Sequence, residues 1–229
     1  RESYTLKDMT RGILIVGTQT PLAAALSREA AQRLETHGLA LLGPSDPEQA
    51  LQIPQPPATI PLTWTPGSAI SSRTLLVSAE NRLSRLDEAL LVFAPPTLRT
   101  RPEQLDPAQI SLFIDDYLKG WYYLIREFSR YFRQRKAGTL AMVLAEGPMV
   151  TEKEESPDML GPVLGSAFRA LMQSVLASAA AEPYRILGFS SNDPSQDADF
   201  ASFIFKILDE DSKRDTGKLH RFGKIGIFR

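Results

Sequence analysis

The sequence predicts a doubly wound α/β fold: a single domain with a seven-stranded, mostly parallel sheet flanked by helices. Three observations predict it. Short, continuous apolar runs recur along the chain, many of them bounded by glycine or proline. Segments with helical spacing of apolar residues lie between them. The intervals from run to run are long enough for crossover connections. Strands covered on both faces read as unbroken apolar runs, whereas a half-exposed sheet would alternate.

The elements follow in order. Residues 11–17 (RGILIVG) are a β-branched apolar run ending in glycine, hence a buried strand. From Pro21 to His37 the pattern is helical, with Leu22, Leu26, Ala30 and Leu34 in step. Gly38 is expected at the C-cap, and His37 in the last turn, facing the helix dipole. Residues 39–43 (LALLG) give a second strand, and 44–58 a loop with at most one helical turn. Residues 59–64 (TIPLTW) are a weaker third strand, since Pro61 suits only an edge or a strand start.

Residues 68–86 are expected to be helical. Residues 89–94 (ALLVFA) are a fourth strand, stopped by Pro95 and Pro96. A long helix follows at 107–134, then a fifth strand at 138–145 and a charged loop at 146–160. A second long helix is expected at 162–181, a sixth strand at 184–190, a helix at 197–209 and a last strand at 224–228.

Composition excludes several functions. The chain has 229 residues, 43% of them hydrophobic, which suits one domain with a proper core. Its net charge is −1, so no basic field argues for nucleic acid or an anionic membrane. It has no cysteine, which removes disulfides, zinc–thiolate sites and thiol nucleophiles. Two histidines, His37 and His220, do not make a multi-histidine metal site, and no metal ligands are assigned. Its apolar runs fall well short of the ~20 residues of a membrane span. No signal peptide is visible, and a cytoplasmic location is expected. The chain begins at Arg1 rather than Met, which leaves room for an upstream segment.

The first strand runs into residues 16–23 (VGTQTPLA), the shape of a nucleotide-phosphate turn. Gly17 would make the tight turn. Thr18, Gln19, Thr20 and Leu22 are the candidate cofactor-binding residues beside it. Pro21 stands where a second glycine would let a pyrophosphate approach, and it removes one backbone N–H.

This stretch, with five others in the same order, resembles the short-chain dehydrogenase/reductase family, and the resemblance spans about residues 11 to 228. The others are VFAPP at 92–96, DYLKG at 116–120, GTLAMVLA at 138–145, LGSAFRALMQSVLA at 164–177 and DTGK at 215–218. The resemblance implies a Rossmann-like fold and an NAD(P)-dependent oxidoreductase ancestry. It also implies pairing of helices 107–134 and 162–181 with their copies in a homo-oligomer. The small residues Ala167, Ala170, Ser174 and Ala177 would permit close approach.

The family's catalytic groups have no counterparts here. Its tyrosine falls at Leu164, its lysine at Phe168, its serine at Ala145 and its asparagine at Tyr117. Leu, Phe and Ala carry no polar side-chain atom. None of the six tyrosines has a lysine four residues later in any register. Thr151 or Ser156 could stand in for the serine, but neither replaces the acid.

No catalytic residue is therefore assigned, and a bound cofactor is not expected, NAD(P) being the one to consider. The expected function is a non-catalytic interaction or ligand-sensing module, with a protein partner or small ligand. The alternative is a divergent NAD(P)-dependent oxidoreductase acting on a carbonyl or hydroxyl group, with Tyr117 as its acid.

Three charged features have plain expected roles. His220 is expected to face solvent, with a basic rim around an anion as the other reading. The basic run 126–136 is expected to be a solvated helix end. The acidic stretch 151–158 is expected to be a solvated loop, with partner docking as the sharper idea.

Overall fold

In the computed structural model, residues 11–33, 36–42, 59–146 and 158–223 are described. Seven strands form one sheet in the order β3-β2-β1-β4-β5-β6-β7, and every pairing is parallel. They are β1 (Gly12–Thr18), β2 (Thr36–Leu42), β3 (Ile60–Pro61), β4 (Glu88–Phe93), β5 (Thr139–Ala145), β6 (Arg185–Ser191) and β7 (Leu219–Phe222). The helices are α1 (Pro21–Gln32), α2 (Ala69–Leu83), α3 (Pro107–Ile114), α4 (Gly120–Arg135), α5 (Gly161–Ala177) and α6 (Asp197–Asp209).

Alternation along the central strands separates two cores. Ile13 and Ile15 face α1 and α6, with Leu90, Val92, Val143 and Leu187. Leu14 and Val16 face the other way, with Leu91, Phe93, Met142 and Ile186. That second core is closed by α2, α4 and α5, through Leu75, Trp121, Phe128, Phe168 and Met172. A sheet covered on both faces explains the unbroken apolar runs.

Local chemistry starts the helices. The Thr20 hydroxyl accepts from the Ala23 amide at 3.2 Å, and Pro21 occupies the first turn of α1. Ser68 caps α2 and Asp106 caps α3 in the same way. Oδ1 of Asp158 accepts from Leu160 and Gly161 at the start of α5, and from Leu98 across the gap, all within 3.1 Å.

Several expectations are corrected. The helix from Pro21 ends at Gln32, not at His37. His37 lies in β2, is buried, and its Nε2 sits 2.9 Å from the Ser27 hydroxyl. Gly38 is not a helix cap: a Cβ there would stand 2.8 Å from Leu62 Cδ1. The long helix at 107–134 is interrupted by a π-helical turn at Asp115–Lys119. The last strand among the described residues is Leu219–Phe222, and the expected run 224–228 lies outside them, as does 44–58. His220 does not face solvent. It is half-buried and stacked on Phe189 at 5.4 Å, and burial lowers its pKa.

The basic run is only partly free at its end. Arg133 pairs with Glu182, while Arg135 reaches the Leu86 carbonyl and Asp87. One helical stretch, Gly161–Ala181, is long and apolar enough to cross a membrane by length and composition. Its buried side (Leu164, Phe168, Leu171, Met172 and Leu176) packs into the core, and a third of its apolar window is buried there.

Candidate functional site

The candidate site lies at the C-terminal ends of β1, β4 and β5, where open α/β sheets place their ligands. Gly17 pairs with Val92, and its φ is +154°. An added Cβ would lie 1.9 Å from the Val92 carbonyl oxygen and 3.1 Å from Cη2 of Trp121. Glycine is therefore required by the strand contact and by an indole, before any ligand is considered.

Beyond Gly17 the turn is tied to its own structure. Thr18 Oγ1 accepts from the Ala94 amide at 3.3 Å and lies 3.4 Å from the Ala94 carbonyl. The Thr20 hydroxyl is committed to the α1 cap. Leu22 is fully buried in the core on the α1 face, so a ligand could meet it only through its backbone. Thr18, Gln19 and Thr20 are partly accessible. This turn keeps some donors for an anion but fewer than a glycine-rich loop offers, since Pro21 lacks an N–H.

Next to it stands a cluster of rings. Phe93, the last residue of β4, stacks on Phe168 with centroids 4.6 Å apart. Trp121 meets both edge-on, at 5.3 Å from Phe93 and 5.2 Å from Phe168. Trp64, which follows β3, meets Trp121 at 5.3 Å. Tyr117 lies 6.3 Å from Phe93 and 5.8 Å from Phe113. Edge-to-face pairs at these distances are favourable beyond simple burial.

The π-helical turn helps to place the cluster. It carries Tyr117 inward, where the ring is 7% exposed. Gly120 then lets α4 approach Pro66, whose Cβ would be only 2.6 Å from an added Cβ. Burial, and then the charge of Asp116, raises the Tyr117 pKa. Trp121 Nε1 is buried without a hydrogen-bond partner.

The structure brings three of the four resemblance-derived positions together, and Ala145 packs with the core on the other face of the sheet. Leu164 and Phe168 lie on α5, are 5% and 1% exposed, and share one core with Tyr117 and Phe93. Ala145 ends β5 beside Ser191. Thr151 and Ser156 lie outside the described residues. Sequence reasoning missed one ionic pair here: Arg169 bonds Glu146 at 2.5 Å, just past the end of β5. The available signal was Arg169 itself, the lone charge in α5.

Comparison with known proteins supports the fold. The chain aligns with a short chain dehydrogenase from Mycobacterium smegmatis at TM-score 0.69 and 14% identity, covering 95% of this chain and 93% of that one. The fold is that of the short-chain dehydrogenases. A putative short chain dehydrogenase/reductase family oxidoreductase from Aeromonas hydrophila gives 0.69 at 17% identity, covering 93% and 99%. ElxO with NADP bound gives 0.66 at 12% identity, covering 93% and 97%. No protein-family model and no curated protein matches the sequence.

A nicotinamide cofactor can be tested against these residues. At the turn, Thr18, Gln19 and Thr20 are compatible with part of a phosphate contact. At the ends of β4 and β5, the side chains on hand are Phe93, Phe168, Leu164 and Trp121. Phe93, Phe168 and Leu164 carry no polar side-chain atom, which leaves the Tyr117 hydroxyl and the Trp121 N–H as the polar groups of the cluster. The fit is partial at the phosphate end and poor at the chemical end.

Proposed function

We propose that this chain is a non-catalytic version of the short-chain dehydrogenase fold, used as an interaction or ligand-sensing module. The observation that carries the reading is the stack of Phe168 on Phe93, edged by Trp121. It fills with core the corner where the resembled family keeps its lysine. A family of oxidoreductases needs an acid and a charge there to move a proton onto the carbonyl oxygen. The test is direct: purified protein with NADH or NADPH and a panel of aldehydes and ketones. No turnover is expected. Turnover abolished by a change at Gly17 would overturn the reading.

The second reading is a divergent NAD(P)-dependent oxidoreductase, and the comparisons favour it. The solved structures that the fold matches are dehydrogenases, one of them with NADP bound, so NAD(P) is the cofactor to test first. Tyr117 would be its acid, as the phenol of the ring cluster, and the burial that raises its pKa works against that role. Thermal shift separates the two readings. NADP at 100 times its Kd stabilises by ~2.7 kcal/mol. On this second reading Pro21→Gly tightens that binding and Tyr117→Phe removes any turnover. On the first, neither change has anything to act on.

We also propose a homo-oligomer through the 107–134 and 162–181 helices. The outward face of α5 is small and uncharged, with Val163 63% exposed and Ser166, Ala170, Ser174 and Ala177 in line. Leu112 and Tyr122 are also exposed nearby in the chain, on α3 and α4. Light scattering on the purified protein gives a multiple of 25.4 kDa if this is right. Ala170→Arg reduces it to one chain.

A further inference from the structure

The opposite end of the sheet holds a cavity of about 590 Å³. Its floor is made by the first residues of three strands, Glu88 of β4, Thr139 of β5 and Arg185 of β6. That is the end away from Gly17, so the cavity is separate from the site above. Its size falls in the range of pockets for small organic molecules.

The charges around it are unevenly satisfied. Four acids line it, and each is held by an arginine. Glu88 pairs with Arg11 at 3.4 Å, Asp87 with Arg85 at 2.8 Å, Asp211 with Arg185 at 2.7 Å, and Glu182 with Arg133. Lys136 and Lys213 also line the cavity, and neither has an ion pair among the described residues. Arg185 is 8% exposed, and its Nε is buried with no hydrogen-bond partner. Its two other nitrogens are engaged by Asp211 and by the Ile207 and Leu208 carbonyls.

The acids are thus paired, and two ammonium groups remain. This positive excess sits in a chain whose net charge is −1. Pro183 and Thr216 add accessible apolar and weakly polar surface to the lining, beside the buried Tyr184 and Leu208. Two uncompensated cations match a dianion, and lysine serves phosphate well as a point charge.

We propose that this cavity binds a small organic phosphate, with its phosphate on Lys136 and Lys213 and its organic body against Pro183 and Thr216. The proposal stands whether or not the chain turns over a nicotinamide cofactor. It adds a ligand class to the sensing role and locates it at the end of the sheet that dehydrogenase chemistry does not use.

Phenyl phosphate is a suitable probe, added to the full chain at constant ionic strength while the melting temperature is read. At 100 times its Kd it should raise Tm by about 5–10 °C. Lys136→Gln with Lys213→Gln should weaken binding at least tenfold. Both lysines are exposed, so the fold survives the change. Inorganic phosphate should bind more weakly. No shift beyond matched sodium chloride, or the same shift in the double variant, overturns the site. Equal shifts from inorganic phosphate and phenyl phosphate overturn the organic body.

Discussion

Phe168 of α5 lies nearly parallel to Phe93 of β4, with their planes 23° apart. The contact joins the end of a central strand to the helix that would carry catalytic groups in a dehydrogenase. Phe168 is 1% exposed, so its ring is held in the core rather than presented to a substrate. Truncation to alanine empties a ring-sized volume between Phe93 and Trp121. Phe168→Ala should cost about 3–5 kcal/mol in urea denaturation. Phe168→Lys should cost at least as much, because an ammonium group would be desolvated among rings. A lysine variant as stable as the parent would show that the corner is open to water.

Gly17 gives a second test of what this turn is for. The clash of an added Cβ with the Val92 carbonyl exists without any ligand, and the backbone conformation itself suits only glycine. Gly17→Ala should lose at least about 2 kcal/mol from strain and overpacking together. The loss should be the same with and without NADP. A stable Gly17→Ala protein that has lost only NADP binding would assign the glycine to the cofactor instead.

How far these features could be read in the sequence depends on what carries the signal. The central strands were legible because burial on both faces leaves an unbroken apolar run, as in residues 140–144. The edge strand β7 was not. Among the described residues Leu219–Phe222 pairs only with β6 and needs no such run, and the expected strand 224–228 lies outside those residues. The end of α1 was misjudged because Leu34 continued the helical rhythm into the approach to β2. His37 read as a helix end because its partner, Ser27, meets it only in the folded sheet–helix layer.

The site was legible as absences: no lysine follows any tyrosine by one turn. The ring cluster was not, because Trp64, Phe93, Trp121 and Phe168 come from four separate stretches of the chain. Nor was the cavity at the other end, whose floor joins three strand starts.

Asp158 is a structural anchor that the sequence reading had placed in a solvated acidic loop. One of its oxygens accepts three backbone amides, from Leu98, Leu160 and Gly161. It both starts α5 and ties the segment after β4 to it. Asp158→Ala leaves those amides without their acceptor and should cost about 1–3 kcal/mol. Asp158→Asn keeps an oxygen in place and should cost less. Hydrogen exchange at the three amides should speed up together in the alanine variant. Exchange that changes at only one of them would refute the shared role.

Asp197 opens α6, and burial, then the charge of Asp193, pushes its pKa up to about 6 from an ordinary 3.8. The folded state therefore holds this proton more tightly than the unfolded chain does. The resulting stability is present below pH 3.8 and is lost as the pH rises through 6. Asp197→Asn removes the ionisation and with it this loss. Solvent reaches part of the side chain, and a carboxylate at a helix start also gains from the dipole, so both reduce the effect. The variant should be more stable than the parent at pH 7 by about 1 kcal/mol or less, with the gap closing towards pH 3.5. Urea midpoints at the two pH values decide it. A variant that is less stable at pH 7 than at pH 3.5, relative to the parent, would mean that the dipole outweighs burial at this helix start.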